Sequence, residues 1–247
     1  LRTGLFFRYG LTDRFEVGME IPVYYRWEGF LNGLITEVER LTGNVSKPRA
    51  VLGDTDFAFN LTQNGQTLFE GTNGAGGFGD ITLITKYQAI LETAQIPALS
   101  GRFALKLPTG DTGKFFGSGH VDVGVGLAVE KTVYNRWVLH GNANGVFPTG
   151  SVSGLSLSPV FSALGGIEYV WSPNLSLLAQ FDYYSSPYRN TGTRILDNGV
   201  TEVVVGFNYL LRDHLLWRVY AIENADLIEG AAADFTLSTV LTYRFGH

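Results

Sequence analysis

The stretch FEVGMEIPVYYRW, residues 15–27, puts Phe15, Val17, Met19, Ile21, Val23, Tyr25 and Trp27 on one face of an extended chain, and Glu16, Gly18, Glu20, Pro22, Tyr24 and Arg26 on the other. It is long for a soluble strand, since those cluster near ~5–6 residues. The same period of two recurs over residues 1–9, 78–90, 98–107, 120–132, 137–147, 158–171, 175–184, 199–210, 215–224 and 234–245, which makes eleven strands. Short connections (11–14, 91–97, 133–136, 172–174, 211–214) alternate with long ones (28–77, 108–119, 148–157, 185–198, 225–233). Loops sorted by length in this way are the mark of an up-and-down transmembrane barrel, with tight turns at the periplasmic end and long loops outside. A soluble sandwich has no reason to sort them.

The barrel reading decides which face is wet. No apolar run reaches the ~20 residues of a membrane helix, so the hydrophobicity must act through alternate positions, apolar face to lipid and charged face to lumen. Val121, Val123, Val125, Leu127 and Val129 then face out while Asp122 and Glu130 face in. A charge facing mid-bilayer lipid costs ~2–4 kcal/mol, which is why that face carries almost none. Val17, Met19, Val123, Val125, Phe181 and Phe207 are expected against lipid. Trp27, Trp137, Trp171 and Trp217, with Tyr9, Tyr25, Tyr169, Tyr183, Tyr209 and Tyr243, stand at strand ends as interfacial girdles. The fold expected is therefore all-β, a single antiparallel barrel domain over residues 1–247. Both termini on the periplasmic side require an even strand number, so twelve strands are expected, the first lying upstream of Leu1 or missing. Ten-stranded and odd-stranded variants stay open. The chain opens inside a strand pattern with no charged leader, so any export signal is expected to have been removed.

By parity the lumen-lining set is Arg8, Glu16, Glu20, Arg26, Asp80, Lys86, Arg102, Lys106, Asp122, Glu130, His140, Asn142, Glu168, Gln180, Asp182, Glu202, Arg218 and Arg244, with Arg2 also inward. Basic and acidic members are equal in number. Unpaired charges in a narrow lumen are costly, so a ladder of ion pairs across it is expected, bridged by amides and histidines.

Chemistry is sparse. Within 28–77, a long extracellular loop, Leu31, Leu34, Ile35, Val38 and Leu41 fall at helical spacing, and the stretch FAFNLTQNGQTLFEG reads as a hairpin turning at Asn64-Gly65. The helix, residues 31–42, is either a gate at the barrel mouth or a cap over it. Residues 107–124, LPTGDTGKFFGSGHVDVG, gather Asp111, Thr112, Lys114, His120 and Asp122 but lack the spacing of a phosphate-binding loop. Tight outer turns are the expectation there. His140, Asn142 and Asn144 invite comparison with outer-membrane lipid hydrolases, yet parity turns them from lipid and no serine stands at i±2. No catalytic residue is assigned and no enzyme activity is expected. The histidines lack metal-ligand spacing and there is no cysteine, so no metal or cofactor is expected. With net charge −5 and no basic cluster, nucleic acid is not a partner.

The segments RYGLTDRFEVGMEIPV, GFLNGLI, GFGDITLITKY, LKLPTGD followed by GSGHVDVG, AIENADL and DFTLSTVLTYRF occur in that order across almost the whole chain. Together they resemble a family of Gram-negative outer-membrane proteins catalogued as a domain of unknown function. They are also similar to outer-membrane proteins assigned to transport in aromatic-degradation gene clusters. Asn32 and Asn224 depart from the family pattern, where acidic residues are expected. The resemblance implies a barrel in the outer membrane, in contact with lipid bilayer and lipopolysaccharide. It brings no catalytic residues. The close on Tyr243 and Phe245 is similar to the terminal signal read by the outer-membrane assembly machinery. The function expected is a narrow channel for passive passage of small solutes or ions. The alternatives are a plugged structural barrel that anchors an unidentified protein partner and, below it, a lipid hydrolase.

Overall fold

The computed structural model describes residues 1–27, 58–63, 66–72, 74–152, 154–225 and 235–245. Its strands, in chain order, are β1 (Arg2–Gly10), β2 (Phe15–Tyr25), β3 (Ala58–Gln63), β4 (Gln66–Thr72), β5 (Gly76–Phe78), β6 (Thr82–Ile90), β7 (Ala98–Lys106), β8 (Asp122–Val133), β9 (Trp137–Pro148), β10 (Ser151–Val152), β11 (Leu155–Ser156), β12 (Val160–Ser172), β13 (Leu175–Tyr184), β14 (Val200–Arg212), β15 (Leu215–Asn224) and β16 (Phe235–Tyr243). One helix, α1 (Arg194–Asp197), lies between β13 and β14, and a 3-10 turn spans Thr112–Lys114. Eleven strands form one antiparallel path, β1-β2-β6-β7-β8-β9-β12-β13-β14-β15-β16, each pairing with its sequence neighbour on that path, while β5 extends the pairing of β2. These are the elements of an up-and-down barrel. At its two ends β1 and β16 are not paired with each other, and β1 is exposed on both faces.

The molecule is inside out relative to a soluble β protein. Among the described residues the buried apolar side chains are few, Pro22, Phe116, Val200 and Val204, whereas large apolar residues stand exposed along every long strand. In β8, Val125 and Leu127 are 48% and 57% exposed while the intervening Gly124 and Gly126 are not. That alternation follows from the pleat, which sends successive side chains to opposite faces. A one-residue slip would move every apolar residue inward, so the register is tightly specified.

Short connections close one end of the sheet. Tyr134 and Asn135 both have positive φ, and the Arg136 N–H donates to the Val133 carbonyl, the geometry of a two-residue turn matched to strand twist. Elsewhere a hydroxyl closes the turn: Thr12 Oγ1 accepts from the Phe15 N–H at 3.0 Å and Ser172 Oγ from the Leu175 N–H at 3.1 Å. The outer face at this end carries an aromatic cluster in which Trp137 and Tyr169 stand 4.5 Å apart, Tyr169 and Trp171 6.1 Å, Phe207 and Trp217 5.6 Å, and Tyr243 and Phe245 4.6 Å. Amphipathic rings at one level suit a membrane–water boundary. At the other end β3 and β4 form a hairpin of their own, with Gln63 opposite Gln66. Asn64 and Gly65 lie outside the described residues, as do residues 31–42, where the sequence predicts a helix.

Candidate functional site

Register places the charged set on one face. Glu16 lies opposite Lys86, Lys86 opposite Arg102, Lys106 opposite Asp122, Glu130 opposite His140, and Asp182 opposite Glu202. On the same face Arg8 meets Gly18, Glu20 meets Thr82, Asn142 meets Leu164, Glu168 meets Leu178, Gln180 meets Gly166 and Arg218 meets Asn208. Arg26 turns inward from the end of β2, and Arg244, exposed, follows β16 on the same parity. This inner face is not polar throughout, since Leu164, Leu178 and Val204 share it. The gating-loop residues Leu31, Leu34, Ile35, Val38 and Leu41 lie outside the described residues.

The expected ladder of ion pairs across the lumen does not form among the described residues. Inner-face ion pairs are local: Arg2 with Glu20, Arg8 with Glu16 at 3.6 Å, and Lys106 with Asp80 at 3.2 Å and with Asp122. Several of the remaining charges rest on neutral groups. Arg102 donates to the Asn142 and Asn144 side-chain carbonyls, the latter at 3.0 Å. Glu168 accepts from Ser176 and, at 3.0 Å, from the Asn208 amide, which also takes the Tyr220 hydroxyl at 2.8 Å. Asp182 accepts both of its bonds from the Gln180 amide, at 2.7 and 2.9 Å, and His140 contacts Gln180 at 3.3 Å. The sequence orders equal numbers of both signs, but strand pairing sets which charges are neighbours, and most bases and acids fall on different strands.

A cavity of about 480 Å³ lies at the long-loop end and is lined by Arg2, Glu20, Tyr24, Lys106, Phe116 and Tyr188 among others. It brings β1 and β2 together with the loops that follow β9 and β13, so the sheet curls round its polar face. The loop after β7 folds into this space. Asp80 anchors it: one carboxylate oxygen accepts from the Gly110 N–H at 2.9 Å, and the other from the Ser118 N–H at 2.9 Å and from Lys106 at 3.2 Å. Burial alone would raise the Asp80 carboxyl, but the two backbone donors and Lys106 outweigh it and hold it below its ordinary 3.8. Phe115 takes a left-handed conformation, φ 55°, at the end of the 3-10 turn. The next ring, Phe116, is 6% exposed and stacks on Tyr24 at 5.5 Å, with the Arg26 guanidinium 4.9 Å from its centroid. Gly117 is required by this close approach, because a Cβ there would meet Asp80 Oδ1 at 2.4 Å and the Gly110 backbone at 2.8 Å. Burial holds the Tyr188 hydroxyl above its ordinary pKa of 10.0.

Tight outer turns are the expectation for residues 107–124; an exposed turn is present at Thr112–Lys114, but Phe115–Ser118 fold inward, and residues from Asp122 on belong to β8. Phe116, Tyr24, Gly110 and Ser118 are the site residues missed by sequence reasoning. The signal was present in an aromatic pair set among glycines, FFGSG, with a lone acid, Asp80, two strands earlier.

Comparison with known proteins follows this geometry. A solved structure, the COG4313 outer membrane channel from Pseudomonas putida F1, matches with TM-score 0.59 at 15% identity, over 97% of this chain and 79% of that one. The P. putida toluene transporter TodX matches with TM-score 0.39 at 12% identity, over 90% of this chain and 62% of that one, too distant to carry an argument. No curated protein matches the sequence. The family model described as protein of unknown function (DUF3187) matches residues 1–245, and the chain belongs to that family.

Proposed function

We propose that the protein is a narrow outer-membrane channel of a Gram-negative bacterium, for passive passage of small solutes or ions, constricted at its long-loop end by residues 107–119. The observation that carries this reading is the inverted exposure: apolar residues ring the outside, charges and amides share the inner face, and Arg2, Glu20, Asp80 and Lys106 line a cavity of about 480 Å³ within. A polar interior exceeds what a lipid anchor needs, and it serves the passage of hydrated solutes. The fold likeness to an outer membrane channel is in keeping with it. The protein then acts without catalysis: His140 engages Gln180 on the inner face, away from lipid. Its surroundings are bilayer and lipopolysaccharide, and Tyr243 and Phe245 are what the assembly machinery would read.

A second reading has its own support. The Phe116–Tyr24–Arg26 stack fills part of the mouth, as a plugged barrel that anchors a protein partner would require. Planar-bilayer recording of the purified protein separates the two. Discrete current steps support the channel. Silence at every voltage and salt, both in the wild type and after release of the loop, supports the plugged barrel.

A further inference from the structure

Inner-face charges are balanced in number but not in place. Lys86 and Arg102 lie directly opposite one another on β6 and β7. Neither Lys86 nor Arg102 forms an ion pair among the described residues. Asp182 and Glu202 lie directly opposite one another on β13 and β14, held by the Gln180 amide and, at 3.3 Å, by the Tyr184 hydroxyl, with no ion pair among the described residues. Like charges facing each other across a strand pair destabilise a sheet. This sheet carries two such pairs, of opposite sign; Glu16 lies across from Lys86 on β2 and offsets part of the first, while no base lies opposite the second.

Their positions on the path are informative. Lys86 and Arg102 occupy the third and fourth of the eleven strands, Asp182 and Glu202 the eighth and ninth. In a curled sheet of this size a separation of five strands is close to half the circumference. Between the poles, the inner face on β8 and β9 carries Gly124, Gly126, Ala128, Asn142 and Asn144 at mid-strand, with Glu130 opposite His140 toward the short-turn end. Lys86 and Arg102 are central in their strands, while Asp182 and Glu202 stand two residues from the long-loop ends of theirs, so the field between them runs obliquely across the lumen.

We propose that these two poles set a transverse field that selects small zwitterions, molecules with a cation and an anion a few bonds apart, of which free α-amino acids are the simplest. This inference rests on the channel reading. A zwitterion turns its carboxylate to Lys86 and Arg102 and its ammonium to Asp182 and Glu202, and gains from both walls. A monovalent ion gains from one wall and is repelled by the other, and an uncharged solute gains little. Low-dielectric walls focus such a field and raise the local concentration of the solute that matches it.

The test uses the full chain in proteoliposomes, with uptake of labelled alanine compared with that of its uncharged isomer lactamide. At low salt, alanine is expected to enter faster by about tenfold, the low end of what electrostatic focusing gives. In 1 M salt, where the screening length falls to ~3 Å, the ratio is expected to approach one. The variant pairs Lys86→Gln with Arg102→Gln, and Asp182→Asn with Glu202→Gln, should each lose the preference. In bilayers they should give reversal potentials of opposite sign, cation-selective for the first and anion-selective for the second. Should a variant fail to assemble, the salt dependence of the wild type decides without it. Equal uptake of both solutes at low salt overturns the field and leaves the channel standing. Exclusion of both solutes, with no conductance, removes the channel reading and the inference with it.

Discussion

Replacing Asp80 with Ala should open the mouth. Asp80 holds the inward loop through the Gly110 and Ser118 N–H groups, each at 2.9 Å. A hydrogen bond to a charged group contributes ~1.5–3 kcal/mol, so losing two costs the inward position ~3–6 kcal/mol. Burial of Phe116 favours that position by ~1.5–3 kcal/mol, and Lys106 keeps its 2.6 Å bond to the Ser118 hydroxyl, worth ~1 kcal/mol. The remaining contacts, with the Arg26 bond to the Lys114 carbonyl and its guanidinium over Phe116, still favour the inward position, so the loop should leave the lumen more often than in the wild type without abandoning it. Asp80→Asn keeps an acceptor for one donor and should fall between. Lys106 retains Asp122, so neither variant strands a lysine charge. The assay is single-channel conductance in planar bilayers, expected to rise in the order wild type, Asp80→Asn, Asp80→Ala. The wild type should show the same opening in acid. Because the Asp80 pKa is depressed, its anchoring is complete above about 3.8 and is lost as pH falls through the lower native value. Asp80→Ala should lack that acid step, which separates Asp80 from other carboxylates titrating nearby. Unchanged conductance in an assembled Asp80→Ala barrel would refute the anchoring role.

Gly117→Ala should act like Asp80→Ala on conductance, because its Cβ would meet Asp80 Oδ1 at 2.4 Å and backbone at 2.8 Å and so push the loop out. Leu127→Lys, on the exposed outer face, should cost ~2–4 kcal/mol in equilibrium unfolding from lipid vesicles, whereas Ala128→Lys on the inner face should cost much less. Neutralising Glu20 and Glu130 together should shift ion selectivity toward anions, read as a reversal potential in a salt gradient, because Glu20 is the ion-pair partner of Arg2 and its loss leaves that positive charge uncompensated. Removing Phe245, which is 88% exposed beyond β16, should slow assembly into membranes in vitro if Tyr243 and Phe245 form the recognised end.

The strands were legible because their information is local. A period of two fixes both the element and its inward face, so the eleven segments read from the sequence correspond to the eleven strands of the path, most ends differing by a residue or two and the segment 78–90 starting four residues ahead of β6. The constriction was not legible because it is made by residues far apart in the chain. Asp80 meets Gly110 and Ser118 across 30 and 38 positions, and nothing within LPTGDTGKFFGSGH says whether its turns point outward or fold in. The same limit applies to the charges. Parity shows that Lys86, Arg102, Asp182 and Glu202 all face inward, but strand pairing is needed to show that like meets like. The sequence predicts ion pairs across the lumen; those found are local, as for Arg8 with Glu16 and Lys106 with Asp122, where register brings opposite signs on adjacent strands into reach. Inner apolar positions such as Leu164 and Val204 escaped notice because they interrupt an otherwise polar face, and they pack against neighbours on that face instead of taking part in a polar pattern.

The central claim is that a polar, water-accessible interior is enclosed by a lipid-facing apolar exterior, and the chain is suited to a direct test because it has no cysteine. Single cysteines at Ala104, Ala128 and Ser162, on the inner face, and at Phe103, Val125 and Leu127, on the outer face, can be exposed to a small charged thiol reagent with the protein in membranes. The account predicts fast labelling of the first three and little or none of the second three, a strict alternation along β7 and β8. Equal labelling on both faces, or labelling of the apolar set alone, would contradict it.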